Sequence, residues 1–263
     1  MTRKIKRLPG CEIILEISDE GFIAPPRAAQ RNWLLNRAVG EFAADLVALN
    51  THAQTFVPGS EEVPTHDRSQ AALDDQDIME DWQIPIMAAM AEMAAAAHGD
   101  VLEIGFGRGV SADLLQQAGV RSHTIVECND SIVERLEAWK AGYADRDIKI
   151  VHSRWQDAVA ELAEYDAVFF HTYPLTEDEY IDSIVNSTTF AEHFFPTAAA
   201  VLRDGGVFTY LTNEIDSLSR AHQRLVFRHF RSFTLHIVRA LNLPPNLKDA
   251  WWAGSMAVIG AVK

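Results

Sequence analysis

The stretch Asp100-Val-Leu-Glu-Ile-Gly-Phe-Gly-Arg-Gly109 decides the fold. Val101, Leu102 and Ile104 read as a short buried strand. The turn Gly105-Phe106-Gly107-Arg108-Gly109 follows at once, and Val110, Leu114 and Leu115 then recur at helical spacing. A strand feeding a glycine turn and a helix brings backbone N–H groups close to a ligand. The dinucleotide pattern Gly-x-Gly-x-x-Gly would need glycine where this chain has Val110. Instead an acid, Glu103, stands just before the first glycine. A carboxylate beside such a turn suits a cation and opposes a phosphate.

A second acid follows at the right distance. Ser122-His-Thr-Ile-Val-Glu127 reads as the next buried strand, and Glu127 ends it. In a βαβ unit, an acid roughly 20 residues after the turn stands at the tip of the neighbouring strand, where it can accept ribose hydroxyls. Glu103-x-Gly105-x-Gly107 resembles the first motif of class I S-adenosylmethionine (SAM) methyltransferases. That cofactor carries a sulfonium cation and no pyrophosphate, in keeping with the acid beside the turn. Glu127 is also open to a plainer reading, as a solvated strand-end carboxylate.

The whole chain sets the bounds. Its 263 residues suffice for one large α/β domain with a small extension. A hydrophobic share of 48% is that of an ordinary globule. The net charge of −14 argues against a nucleic-acid partner. The only basic run is Arg3-Lys4-Ile5-Lys6-Arg7, which reads as a solvated, disordered end. Cys11 and Cys128 make no disulfide framework, and no signal peptide or membrane-length apolar run is visible. A cytoplasmic protein without membrane contact is expected. The ten histidines show no metal-ligand spacing, so no metal is expected.

Residues 1–56 read as an N-terminal α+β extension. Residues 12–17 and Phe22-Ile23 suggest two strands, and Pro25-Pro26 open a helix whose apolar face runs through Trp33, Phe42 and Leu46. Such a face packs on the main domain or builds a homodimer contact. Residues 57–77 are acidic and punctuated by Pro58, Gly59 and Pro64, as expected of either a lid or a plain linker. Residues 78–263 form the main domain, and a helix is expected from Ile78 to His98. Further strands fall at 148–152, 166–171, 206–212, 233–238 and 257–262, with helices at 130–141, 155–163, 187–202 and 217–230. Seven strands with helices between them predict a doubly wound, mostly parallel sheet. Ligands bind such sheets beyond the strands' carboxyl ends. That rule gathers Gly105, Glu127, Arg154-Trp155, His171 and Asn213 on one rim.

Met79-Glu-Asp-Trp-Gln-Ile-Pro-Ile-Met87, Leu102–Gly107, Ile125–Asp130, His171-Thr-Tyr-Pro-Leu175 and Gly205–Tyr210 together resemble guanidinoacetate N-methyltransferase over residues 77–263. The resemblance implies a class I methyltransferase fold. It places SAM against Met87, Glu103, the turn Gly105, Phe106, Gly107, Gly109 and Val110, then Glu127-Cys128-Asn129 and Arg154-Trp155. It places the acceptor between the Met79–Met87 segment and the His171–Leu175 strand end, with Met79, Gln83, Thr172 and Trp252 as contacts.

The chain departs from the family where the acceptor binds. The family grips its cationic guanidinium with two carboxylates, and the aligned positions here are Gln83 and His171. Two lost charge-assisted contacts, about 1.5–3 kcal/mol each, argue against guanidinoacetate. Ile84, Ile86, Phe169, Phe170 and Trp251-Trp252 suggest a small, apolar acceptor, an indole or aromatic amine of secondary metabolism methylated at nitrogen or carbon. His171 then reads as general base or as a structural rim histidine, with Glu80 and Tyr173 orienting the acceptor. Two alternatives stand beside this reading: a guanidino N-methyltransferase with a rewired site, and a non-catalytic SAM-binding interaction protein.

Overall fold

The chain was described from a computed structural model. It describes residues 4–7 and 14–17, Arg68, 71–185, 187–212, 214–244 and 254–263. Two compact units divide it, Met1–Glu62 and Val63–Lys263.

In the first unit, β1 (Lys4–Arg7) pairs antiparallel with β2 (Ile14–Ile17), Lys4 opposite Ile17 and Arg7 opposite Ile14. The basic run expected to be disordered is therefore a strand. It pairs with the 14–17 strand, while Phe22-Ile23 lies outside the described residues. The Trp33–Leu46 face and residues 57–67 lie outside the described residues, so the proposed homodimer contact and most of the proposed lid do too.

The second unit holds the expected seven strands: β3 (Asp100–Ile104), β4 (Ser122–Glu127), β5 (Ile148–His152), β6 (Tyr165–Phe170), β7 (Leu202–Thr212), β8 (Ser232–Arg239) and β9 (Ser255–Val262). Their order across the sheet is β5-β4-β3-β6-β7-β9-β8. The first five run parallel, and β9 pairs antiparallel with both β7 and β8. The order reverses at β3, and such a switch point opens a crevice beyond the strand ends.

Both faces of this sheet are covered, which is why its strands read as near-continuous apolar runs. Leu102, Val168, Phe208 and Ile259 point to one face and pack with Phe194, Phe195 and Val226. Val101, Ala167, Phe169 and Val258 point to the other and pack with Ile86, Met90 and Leu115. Phe208 stacks between Tyr210 and Phe230 with no exposed surface, and truncating it to Ala should cost roughly 3–5 kcal/mol.

The helices are α1 (Asp75–Ile78), α2 (Ile84–Ala95), α3 (Val110–Gln117), α4 (Asp130–Ala141), α5 (Trp155–Ala158), α6 (Glu177–Tyr180), α7 (Phe195–Val201) and α8 (Arg220–His229). Asn129 caps α4 by accepting from Ser131 N and Ile132 N, so that helix falls at its predicted limits. The helix expected from Ile78 to His98 is broken. Met79 and Glu80 are extended, a single 3₁₀ turn covers Asp81–Gln83, and α2 begins at Ile84 with Pro85 in its first turn. Arg108 Nη1 donates to the Met79 carbonyl at 2.7 Å, a tertiary contact that apolar spacing cannot reveal. Among the described residues no helix is long and apolar enough to cross a membrane.

Candidate active site

Backbone hydrogen bonds carry the ladder one residue past the strand ends and so build the rim. Gly105 N donates to Val126 O at 2.9 Å, His171 N to Ile104 O at 3.1 Å, and Ser153 N to Glu127 O at 3.0 Å. Gly105 is left-handed, with φ of 87°, and a Cβ there would lie 2.4 Å from the His171 carbonyl oxygen. Only glycine fits that close passage of two backbones. Gly109, with φ of 80°, lies against the Phe106 ring and starts α3 without a side-chain cap. The first N–H groups of a helix have no partner within the helix.

Glu127 stands at the rim as its strand predicts. Its Oε2 accepts from Phe106 N at 3.0 Å, and its Oε1 from Cys128 N at 2.8 Å and Asn129 N at 2.9 Å. A carboxylate offers about four acceptor positions, so three N–H groups fix it and leave one. Beside it, burial pushes the Cys128 thiol up to about 12, with Glu127 adding to the rise. Cys128 stays protonated and is no nucleophile.

Glu103 is placed differently from the sequence expectation. It has no exposed surface; Ser111 Oγ donates to its Oε1, and His123 Nε2 lies 2.9 Å from its Oε2. Glu103 thus ties α3 to the sheet through Ser111 and His123. Met87 is likewise 1% exposed within the core, and Met79 is buried. Val110 packs at the margin of the same core cluster.

The glycine turn meets the acceptor-side segment at Met79–Asp81. Arg108 joins the glycine turn to the broken helix through Met79 O and through Asp81 Oδ1 at 2.8 Å. Glu80, half-buried, accepts from Trp82 Nε1 at 2.7 Å. Gln83 is buried, and its side chain makes no hydrogen bond among the described residues. His171 follows β6 directly, and burial pushes its imidazole down to about 4. The near-neutral titration expected from sequence is therefore absent, and His171 is uncharged at physiological pH. Tyr173 is 44% exposed. Asn213 and Trp252 lie outside the described residues.

An open cleft lies along this rim, lined by Cys128, Arg154, Trp155, Thr172, Tyr173 and His193 among others. Trp155 presents an edge to Phe194 with centroids 4.9 Å apart, so it belongs both to the cleft wall and to the core margin. Arg154 pairs with Glu179 across the opening. Sequence reasoning missed Arg68, Arg108, Glu179 and His193. Arg108 was readable, since a long cation inside a glycine turn must find a partner; Glu179 and His193 come from irregular segments that no periodicity marks.

The sequence profile described as "Guanidinoacetate N-methyltransferase" matches residues 61–224, well over half of the 263 residues. The chain belongs to that family. It is also similar to "Protein arginine N-methyltransferase 2" of Eremothecium gossypii, 28% identical over 176 residues, which are 61% of this chain and 37% of that protein. The protein of the same name in Gibberella zeae is 31% identical over 112 residues, 36% of this chain and 26% of that one. The chain thus spans less than half the length of these curated relatives. Among solved structures, a precorrin-6y C5,15-methyltransferase from Geobacter metallireducens matches with TM-score 0.48 and 13% identity over 76% of this chain and all of that one.

As a member of the family, the chain is a SAM-dependent methyltransferase. The rim fits that cofactor: a fixed carboxylate keeps one acceptor position at Glu127, and an aromatic-walled cleft opens beside it. Two sequence expectations are corrected. The small-molecule acceptor is overturned, because the relatives are named as enzymes that methylate arginine in proteins. The guanidino alternative fits better than the indole or aromatic-amine acceptor, since the family and the relatives are named for guanidino-type N-methylation. The same segments also carry acids: Glu80 accepts from Trp82 Nε1, and Glu179 pairs with Arg154 on the cleft wall.

Proposed function

We propose that this chain transfers a methyl group from SAM to a guanidino nitrogen of an arginine side chain in a polypeptide. The observation that carries the reading is the joint match to the guanidinoacetate N-methyltransferase family and to protein arginine N-methyltransferases. When bound, the cofactor supplies an electrophilic methyl group on a sulfonium. In this reading Glu127 would accept the ribose hydroxyls, the Gly105–Gly109 turn would hold the amino-acid tail, and Trp155 would hold the adenine. Glu80, oriented by the Trp82 N–H, faces the positive acceptor. The guanidinium must release a proton for its nitrogen to attack. His171 is held neutral and can accept a hydrogen bond from it, but so weak a base is a poor final proton sink. Proximity within the rim then provides most of the rate.

The test is methyl transfer from labelled SAM to arginine-containing basic polypeptides, guanidinoacetate and indole amines. Label recovered on arginine in the polypeptide supports the reading. Label only on guanidinoacetate or an indole amine overturns it.

A further inference from the structure

One guanidinium already sits on the acceptor rim, and it belongs to the chain itself. The Arg68 guanidinium carbon lies 4.7 Å from the centroid of the Tyr173 ring. Its Nη2 donates to the Asp77 carbonyl at 3.1 Å. Among the described residues no carboxylate pairs with it. The backbone around it is well anchored: Arg68 N donates to Leu175 O at 3.2 Å, and Asn129 Nδ2 donates to Arg68 O at 2.6 Å and to Ala71 O at 3.0 Å. Arg135 Nη1 pairs with Asp75 at 2.7 Å further along the same segment. Arg68 is thus held across the rim between Tyr173, which lines the cleft, and Asn129, next to Cys128, which also lines it.

We infer that the Tyr173 face and the Asp77 carbonyl form a guanidinium subsite, occupied here by Arg68 as an internal competitor that a substrate arginine displaces. This rests on the arginine-acceptor reading above. It answers the difficulty posed by Gln83 and His171. A guanidinium is planar and weakly hydrated, so it stacks on an aromatic face and donates to a carbonyl without a carboxylate partner. A compact ammonium keeps its water more tightly, and the subsite therefore prefers arginine to lysine. Arg68 holds the place at high effective concentration, as any tethered ligand does.

The experiment measures binding of an arginine-containing peptide, and of its lysine counterpart, to the full chain with S-adenosylhomocysteine present. Arg68→Ala and Arg68→Gln should each tighten the arginine peptide about three- to fivefold, the size of one exposed cation–aromatic contact. Tyr173→Ala should weaken it by a similar factor and cancel the gain when combined with Arg68→Ala, while Tyr173→Phe, which keeps the aromatic face, should retain more affinity than Tyr173→Ala. The KM for a methylated arginine peptide should fall in Arg68→Ala. Unchanged or weaker binding in both Arg68 variants overturns the subsite. If wild type methylates no arginine peptide, the proposed function fails by itself, and the binding comparison still decides the subsite.

Discussion

The two ends of the parallel strands treat charge in opposite ways. At the amino ends, Asp100, Asp166, Arg121 and Arg203 satisfy one another. Arg121 grips Asp100 with two nitrogens at 2.7 and 2.6 Å, and Arg203 Nη1 bridges Asp100 and Asp166 at 3.0 and 2.9 Å. Arg121, Ser122 and Arg203 hold the Asp100 carboxyl far below its ordinary range. At the carboxyl ends, Glu127 keeps an acceptor position, His171 makes no side-chain hydrogen bond among the described residues, and Arg68 rests on an aromatic face. The closed end joins strands; the open end leaves groups for a ligand. Stability and function are divided along the strand axis, so substitutions at the two ends should separate folding from binding.

Gly105→Ala should break that division most severely. The new Cβ meets a backbone oxygen at 2.4 Å in a left-handed conformation, so both ladders at the rim must shift. We expect a loss of roughly 3–4 kcal/mol of stability together with SAM binding. Thermal unfolding and calorimetry read the two, and a stable variant with wild-type affinity would show that the rim is compliant.

Glu127→Ala should weaken SAM by about 1.5–3 kcal/mol, one charge-assisted contact, and should also lower stability, because the N–H groups of Phe106, Cys128 and Asn129 lose their acceptor. Glu127→Gln should lie between. Equal affinity in all three proteins would remove Glu127 from the binding surface.

Asp100→Asn should do the converse, costing about 1–2 kcal/mol of stability with unchanged SAM affinity. Because the folded Asp100 pKa is depressed, its contribution is present above the unfolded value of 3.8 and is lost as pH falls through the folded one. Urea titrations at neutral and acid pH should show the Asn variant converging on wild type in acid.

At neutral pH the smallest effect is expected at His171, whose contribution shows only in acid. Its folded pKa of about 4 lies below the ordinary 6.5, so the unfolded chain binds the proton more readily between those values. Stability should fall as pH drops from 6.5 toward 4, and His171→Asn should flatten that slope. The wild-type pH–rate profile should lack a histidine limb near 6.5; a limb there that disappears in His171→Asn would mean that the imidazole titrates in the open.

Local sequence determined the strand–turn–helix unit, the seven strands, the family and Glu127 at the rim. Each follows from periodicity, glycine conformation or spacing, which depend on neighbouring residues and are therefore legible in one chain. Tertiary structure alone decided the rest. Glu103 and Glu127 are equivalent as text, yet His123 and Ser111 bury one while backbone N–H groups present the other. The helix expected from Ile78 is interrupted before Pro85, and Arg108, distant in sequence, takes the Met79 carbonyl at the break. His171 loses its near-neutral titration through burial, a property of its surroundings and not of its residue type. Arg68 reaches Tyr173 only once the chain crosses the sheet's carboxyl edge. Contacts between residues far apart in the chain depend on how the elements pack, and no local pattern encodes which long side chain will find which partner.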